Sequence, residues 1–205
     1  AVIGKAGQFP GSKDLSSFWE NIAKGVNCIT EVPSTRWNVH ELYENSEIPS
    51  VGKTNSKWMG ALSEPDCFDP LFFNLSPLEA ETMDPQQRLF LQSCWHAIED
   101  AGYDPKSFSG SKTGVFVGCA TPDYYQFDVS RQLSAEGFTG TAVSILAARI
   151  AYLLNLHGPC LSIETACSSS LVAIANACES LNSYSSDQAI AGGVYVMSGP
   201  GMHIK

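Results

Sequence analysis

The stretch "SIETACSSSLVAIANACESL", residues 162–181, decides how this chain is read. Leu161 and Ile163 alternate with Ser162 and Glu164, the two-residue period of a strand. Beyond Cys167, the residues Leu171, Ile174, Ala175 and Cys178 recur at helical spacing and mark one face. Cys167 therefore falls at a strand-to-helix turn, at or just before the first helical residue. Backbone N–H groups at a helix start are unpaired and carry partial positive charge. A thiolate placed there is stabilised, so the nucleophilic fraction rises. The same N–H groups suit the oxyanion of a thioester under attack. Ser168, Ser169 and Ser170 are small enough to admit a substrate arm and able to cap the helix. Two readings stand at this point: a core thiol at a helix start, or a nucleophile.

Working outward, the same alternation of strand and helix continues. "VIG" at 2–4 reads as a short buried strand, and Asp14 caps a helix over Leu15–Lys24 with Phe18, Trp19 and Ile22 on one face. Residues 27–82 are irregular, interrupted by Pro33, Pro49, Pro65, Pro70 and Pro77. Trp37, Tyr43, Trp58, Phe68, Phe72 and Phe73 make this an ordered, aromatic-anchored excursion, since linkers are poor in aromatics. "MDPQQRLFLQSCWHAIEDAG" is a helix capped by Asp84, with Pro85 in its first turn and Gly102 ending it. Its stripe is Leu91, Cys94, Trp95 and Ile98. "TGVFVG" at 113–118 is a short buried strand. Residues 141–154 are apolar nearly all round, which predicts a fully buried helix with a layer on either side. "CLSIET" then forms a strand, 168–182 a helix and "QAIAGGVYVM" another strand. This order gives an α/β layered domain, with 113–200 as the strands and helices around the cysteine.

Composition narrows the function. With 44% hydrophobic and 16% charged residues, the chain is globular. Net charge is −9, and the twelve Lys and Arg residues form no patch in sequence, which argues against nucleic acid. No apolar run is long enough to span a bilayer, and the N-terminus lacks the pattern of a signal peptide. The seven cysteines are odd in number and include no C-x-x-C pair, which fits a reducing cytoplasm and argues against a disulfide framework or a zinc site. Cys94 and Cys178 fall on apolar stripes and are expected in the core. A thioester-forming cysteine usually works with a histidine. None of His40, His96, His157 and His203 sits in a Gly-rich turn that would aim an imidazole into a site.

"ETACSSSLVAI" resembles the active-site signature of the β-ketoacyl synthases, the condensing enzymes of polyketide and fatty-acid assembly. "FPGSKDLSSFWENIAKG", "FFNLSPLEAETMDPQQRLFLQSCWHAIEDAG", "GVFVG", "GTAVSILAARIAYLLNLHGP" and "AIAGGVYVMSGPGM" continue the match in order, so the resemblance covers essentially all of 1–205. It departs at Glu164, where the family commonly has Asp, and in length. The family's domain is about twice as long, and its two catalytic histidines lie in Gly-rich motifs of the second half. The resemblance implies a thiolase-like α-β-α-β-α fold, of which this is the N-terminal half, with the helix at 141–154 in the central layer. It implies that Cys167 accepts an acyl chain from the phosphopantetheine arm of an acyl carrier protein, its own backbone N–H serving as oxyanion donor. The chain would then be extended by decarboxylative Claisen condensation with a malonyl-type extender. Neither metal nor redox cofactor is called for. Expected partners are acyl carrier domains, a second copy of the chain and the other domains of a modular type I polyketide synthase, with no membrane involved. A type I fatty-acid synthase, or a non-condensing acyl-binding or docking ketosynthase, is the alternative. These 205 residues alone are expected not to condense.

Overall fold

Cap residues fix the helix ends in the computed structural model, which describes residues 1–124 and 134–204. The chain divides into two compact units, one formed by 6–65 with 197–205 and the other by 1–5 with 66–196.

In the first unit, helix α1 spans Leu15–Lys24 as predicted. Asp14 accepts from the Ser17 N–H at 2.8 Å and Ser17 Oγ accepts from the Asp14 N–H, a reciprocal cap. Gly25 closes the helix in the left-handed conformation, φ 64°. Of the predicted face, Phe18 stacks on Phe9, whereas Trp19 and Ile22 remain exposed. Strand β1, Thr30–Glu31, pairs antiparallel with β2, Trp58–Met59, and the short helix α2, Val39–Leu42, lies between them in sequence. Val32, Val39 and Met59 form a small core on which Trp37, Ala61 and Met197 pack. Arg36 ties the returning segment in, its guanidinium donating to the Met197 and Leu62 carbonyls. Of the aromatic-rich stretch, Trp37 packs on this core and Trp58 lies exposed in β2.

The second unit holds helices α3 (Pro77–Thr82), α4 (Pro85–Asp100), α5 (Ala135–Thr141), α6 (Val143–Leu153) and α7 (Ser169–Asn182). Its strands are β3 (Thr113–Cys119), β4 (Cys160–Ile163) and β5 (Gln188–Val194). The sheet runs β4-β3-β5, all parallel, with Val115 opposite both Cys160 and Ile190. Central strand β3 is buried along its whole length, as a parallel strand covered on both faces must be. Alternation along it assigns the layers. Val115, Val117 and Cys119 join the core made by Phe90, Leu91, Cys94 and Ile98 of α4 and Leu146, Ala147 and Ile150 of α6. Phe116 turns to the other face and packs on Ala173 and Ala177 of α7. The result is an α/β unit of helix, parallel sheet and helix.

Three expectations change. Residues 2–4 form no strand. Gly4 instead lies so close to α4 that a Cβ there would stand 2.1 Å from the Ala97 carbonyl oxygen, and the Lys5 N–H donates to Asp100. Val2 and Ile3 are left exposed. Second, the predicted helix over 141–154 is observed as α6, Val143–Leu153, with Thr141 ending α5 and Ala142 between them in extended backbone, φ −69° and ψ 123°. Helix α6 is one-sided. Leu146, Ala147 and Ile150 are buried, while Ser144, Ala148 and Tyr152 face outward, so α6 is not the doubly covered layer. Third, the expected stripe of α7 is inverted. Leu171 is 71% exposed, and Ile174, Ala175 and Cys178 are exposed too, whereas Ser169, Ala173, Ala177 and Ser180 are buried. Close approach to the sheet explains it: a Cβ on Gly118 would stand 2.4 Å from the Ser169 carbonyl carbon, and one on Gly193 2.5 Å from the Ser170 Cβ. Only small residues fit that face. The core role expected of Cys178 is therefore wrong, and that of Cys94 is right.

Candidate active site

The nucleophile candidate sits where parallel strands end, the usual place for sites in α/β sheets. Strand β4 stops at Ile163. Glu164 and Thr165 lead into a tight 3-10 turn over Ala166–Ser168, and α7 starts at Ser169. Cys167 is in that turn and exposed, directly ahead of the helix. Ala166 is left-handed at φ 53°, a conformation that costs a residue with a Cβ about 1–2 kcal/mol and needs enforcement by its surroundings.

The serines supply that enforcement from inside. Ser168 Oγ donates to the Thr165 carbonyl at 2.8 Å, and Ser169 Oγ accepts from the Thr165 N–H at 2.9 Å and donates to the Ala166 carbonyl at 2.7 Å. Ser168 makes no side-chain cap to α7, contrary to the capping role read from the sequence. Its hydroxyl holds the turn instead. Ser170 is exposed and leaves the approach to sulfur open.

All seven cysteines are free thiols in very different settings. Burial pushes the Cys94 and Cys160 thiols up. The Cys119 thiol is pushed up to about 11 by burial, then by the charges of Glu164 and Asp84. Such thiols stay protonated near neutral pH. Cys167 differs in being exposed, in the turn directly ahead of α7.

Sequence reasoning missed two features beside the turn. The first is a bridge across the strand ends: Thr121 Oγ1 donates to Glu164, 3.0 Å from Oε1 and 3.3 Å from Oε2. The second is a shallow cleft lined by residues including Asp84, Gln86, Cys119, Thr141 and Leu146. Asp84 accepts from the Gln86 N–H at 2.8 Å through Oδ1, but Oδ2 is buried with no hydrogen-bond partner among the described residues, as is Gln86 Oε1. Burial raises the Asp84 carboxyl to about 6. The only sequence signal was Asp84 as a cap. Helical periodicity says nothing of a first turn, Pro85–Phe90, buried on every side.

The histidines stand elsewhere. His40 faces Glu31 at 3.6 Å, His96 is exposed on α4, His157 Nε2 lies 3.2 Å from Asn155 Oδ1, and His203 Nε2 lies 2.9 Å from the Ser56 carbonyl. Among the described residues no group of His, Cys, Asp and Glu is arranged to hold a metal ion, and no helix is long and apolar enough to cross a membrane.

Comparison with known proteins adds a family. A sequence model of the β-ketoacyl synthase N-terminal domain matches residues 1–205. Polyketide synthase PksN of Bacillus subtilis is 43% identical over 204 residues, covering 100% of this chain and 4% of that protein. Polyketide synthase ThaG of Burkholderia thailandensis is 44% identical over 206 residues, again 100% of this chain and 4% of the relative. Among solved structures, the oxazolomycin ketosynthase domain OzmH KS7 of Streptomyces albus superimposes with a TM-score of 0.91 at 39% identity, over 99% of this chain and 36% of that one. The ketosynthase from module 6 of the Bacillus subtilis bacillaene synthase gives 0.85 at 38% identity, over 100% and 33%. The fold is thus thiolase-like, and the chain spans about a third of the solved ketosynthases it matches.

Proposed function

The chain belongs to the family of β-ketoacyl synthase N-terminal domains, and we propose that residues 1–205 are the N-terminal portion of an elongating ketosynthase domain in a polyketide synthase. One observation carries this reading. Cys167 is exposed at the start of α7, at the C-terminal end of a parallel sheet, in a turn held by Ser168 and Ser169.

The chemistry follows from that placement. The Cys167 thiolate attacks the acyl thioester on the phosphopantetheine arm of an acyl carrier protein. The tetrahedral oxyanion is met by the Cys167 backbone N–H. The carrier thiol leaves with a proton, and the acyl chain is now a Cys167 thioester. A malonyl-type extender then loses carbon dioxide, and its carbanion equivalent attacks the Cys167 carbonyl. A carbon–carbon bond forms, the bond to sulfur breaks, and the free thiol returns. No electron changes hands overall, so no redox cofactor is required.

The relatives are named polyketide synthases, which favours that pathway over fatty-acid assembly. They are far longer than this chain, which supports a multidomain context with acyl carrier domains as partners. A homodimer in the cytoplasm completes the proposal.

The reading is tested on the chain itself with a short acyl-pantetheine thioester and intact-mass peptide mapping. One acyl group on Cys167 is expected, with no β-ketoacyl product on adding a malonyl thioester. Acylation of Cys178 or Cys67 at the same rate as Cys167 would refute the assignment.

A further inference from the structure

We infer that Thr121 and Glu164 act together as positioning residues for Cys167, a hydroxyl–carboxylate strap that holds the nucleophile turn from outside while Ser168 and Ser169 hold it from within. This rests on the reading of Cys167 as the acyl-accepting nucleophile.

The strap joins the ends of two neighbouring parallel strands. Gly118 of β3 is in register with Ile163 of β4. Thr121 lies just past the first strand end and Glu164 just past the second. Only Glu164, Thr165 and left-handed Ala166 separate Ile163, the last ladder residue, from Cys167. Among the described residues strand β4 pairs in the sheet with β3 alone.

The far end of the strap is itself anchored. Gln86 Nε2 donates to the Ala120 carbonyl at 3.3 Å, which fixes the residue before Thr121 to the buried start of α4. Tyr124 donates to the Glu81 carbonyl at 3.0 Å and fixes the same loop to α3. A connected series of hydrogen bonds thus runs from α4 through the post-β3 loop to the cysteine turn. The tether also fixes where the Glu164 charge lies. It is held towards the end of β3, where it helps keep the Cys119 thiol protonated.

Glutamate suits this task by length. Its carboxylate is one methylene further from the backbone than aspartate's, and in this chain it reaches Thr121 Oγ1 with both oxygens. A charge-assisted hydrogen bond to a neutral hydroxyl orients without adding a second charge beside the sulfur.

The test is competitive alkylation of the full chain by iodoacetamide, with Cys167 and Cys178 quantified in the same molecule. Cys178 is exposed on the same helix and reports general access, and buried Cys94 reports unfolding. In the unaltered chain, Cys167 is expected to react faster than Cys178; equal rates would overturn both the nucleophile reading and the strap. With that excess in hand, Thr121→Val is expected to lower the Cys167-to-Cys178 rate ratio about threefold or more, with Cys94 still protected. Thr121→Ser, which restores the hydroxyl, is expected to recover the ratio. A valine variant that keeps the ratio, or a fall that serine does not rescue, overturns the strap and leaves the nucleophile reading standing.

Discussion

The two faces of the parallel sheet are built on opposite principles. Towards α4 and α6 the sheet presents Val115, Val117, Cys119, Ile190 and Val194 to Phe90, Leu91 and Leu146, a thick interface of large side chains. Towards α7 it presents Gly118, Gly193 and Ala189 to Ser169, Ser170, Ala173 and Ala177, with Phe116 and partly buried Ile163 as the large residues among them. The first face supplies most of the buried apolar surface, hence most of the stability. The second gives up side-chain volume so that a helix start can be placed within contact distance of backbone. Rigidity in placing Cys167 comes from that close approach, and the cohesion that makes it tolerable comes from the other side.

The largest expected effect breaks the tight face. Gly118→Ala puts a Cβ 2.4 Å from backbone that has no room to give. A loss of about 4 kcal/mol or more is expected in denaturant unfolding, the size that marks a specific steric conflict. The excess reactivity of Cys167 over Cys178 should vanish with it. A loss below about 1 kcal/mol, within ordinary overpacking, would mean that α7 is not locked to β3.

The next sharpens the bulky face at its polar end. Asp84 is buried and its carboxyl is raised to about 6 from an ordinary 3.8. Folding therefore favours the protonated form. The stabilisation is fully present below about pH 4 and is lost as pH climbs through about 6. Asparagine caps α4 equally well, carries no charge and offers the cleft a donor. The stability advantage of Asp84→Asn over the parent is expected to widen by about 3 kcal/mol between pH 4 and pH 7. A gap independent of pH would show that Asp84 is already paired in solution.

The smallest effect is expected outside α7. Leu171 is largely exposed, and Leu171→Ser should change the unfolding free energy of this chain by less than about 0.5 kcal/mol. A concentration-dependent loss of 2 kcal/mol or more would show that the outer stripe is already covered by another copy.

What could be read in advance follows the same division. Asp14, Asp84 and Gly102 announced helix ends because caps act within a few residues. The valines of β3 announced a buried strand for a similar reason. The orientation of α7 was not legible. Its apolar stripe, Leu171 and Ile174, marks a surface fit to be covered but not what covers it. The face that meets the sheet was decided by Gly118 and Gly193, far away in sequence. Residues 2–4 show the converse: β-branched residues suggest a strand, but a ladder partner makes one. At the site, Cys167 was visible locally because a strand-to-helix turn is a local object. The Thr121–Glu164 bridge was invisible, since its partners are 43 residues apart. The break at Ala142 has no Gly or Pro to announce it.

Central strand β3 has a consequence for how the protein is made. Val115 must find Cys160 on one side and Ile190 on the other, and both are translated well after it. At about 5–20 residues per second, its valines and Phe116 wait several seconds before the second neighbour emerges from the ribosome. During that interval α4, and later α6, can shelter the valines, while Phe116 on the other face waits for α7. The order of the elements thus makes an early α4–β3 contact the natural guard against aggregation of the nascent chain, and slow pairing of β5 the step that completes the cysteine turn's support.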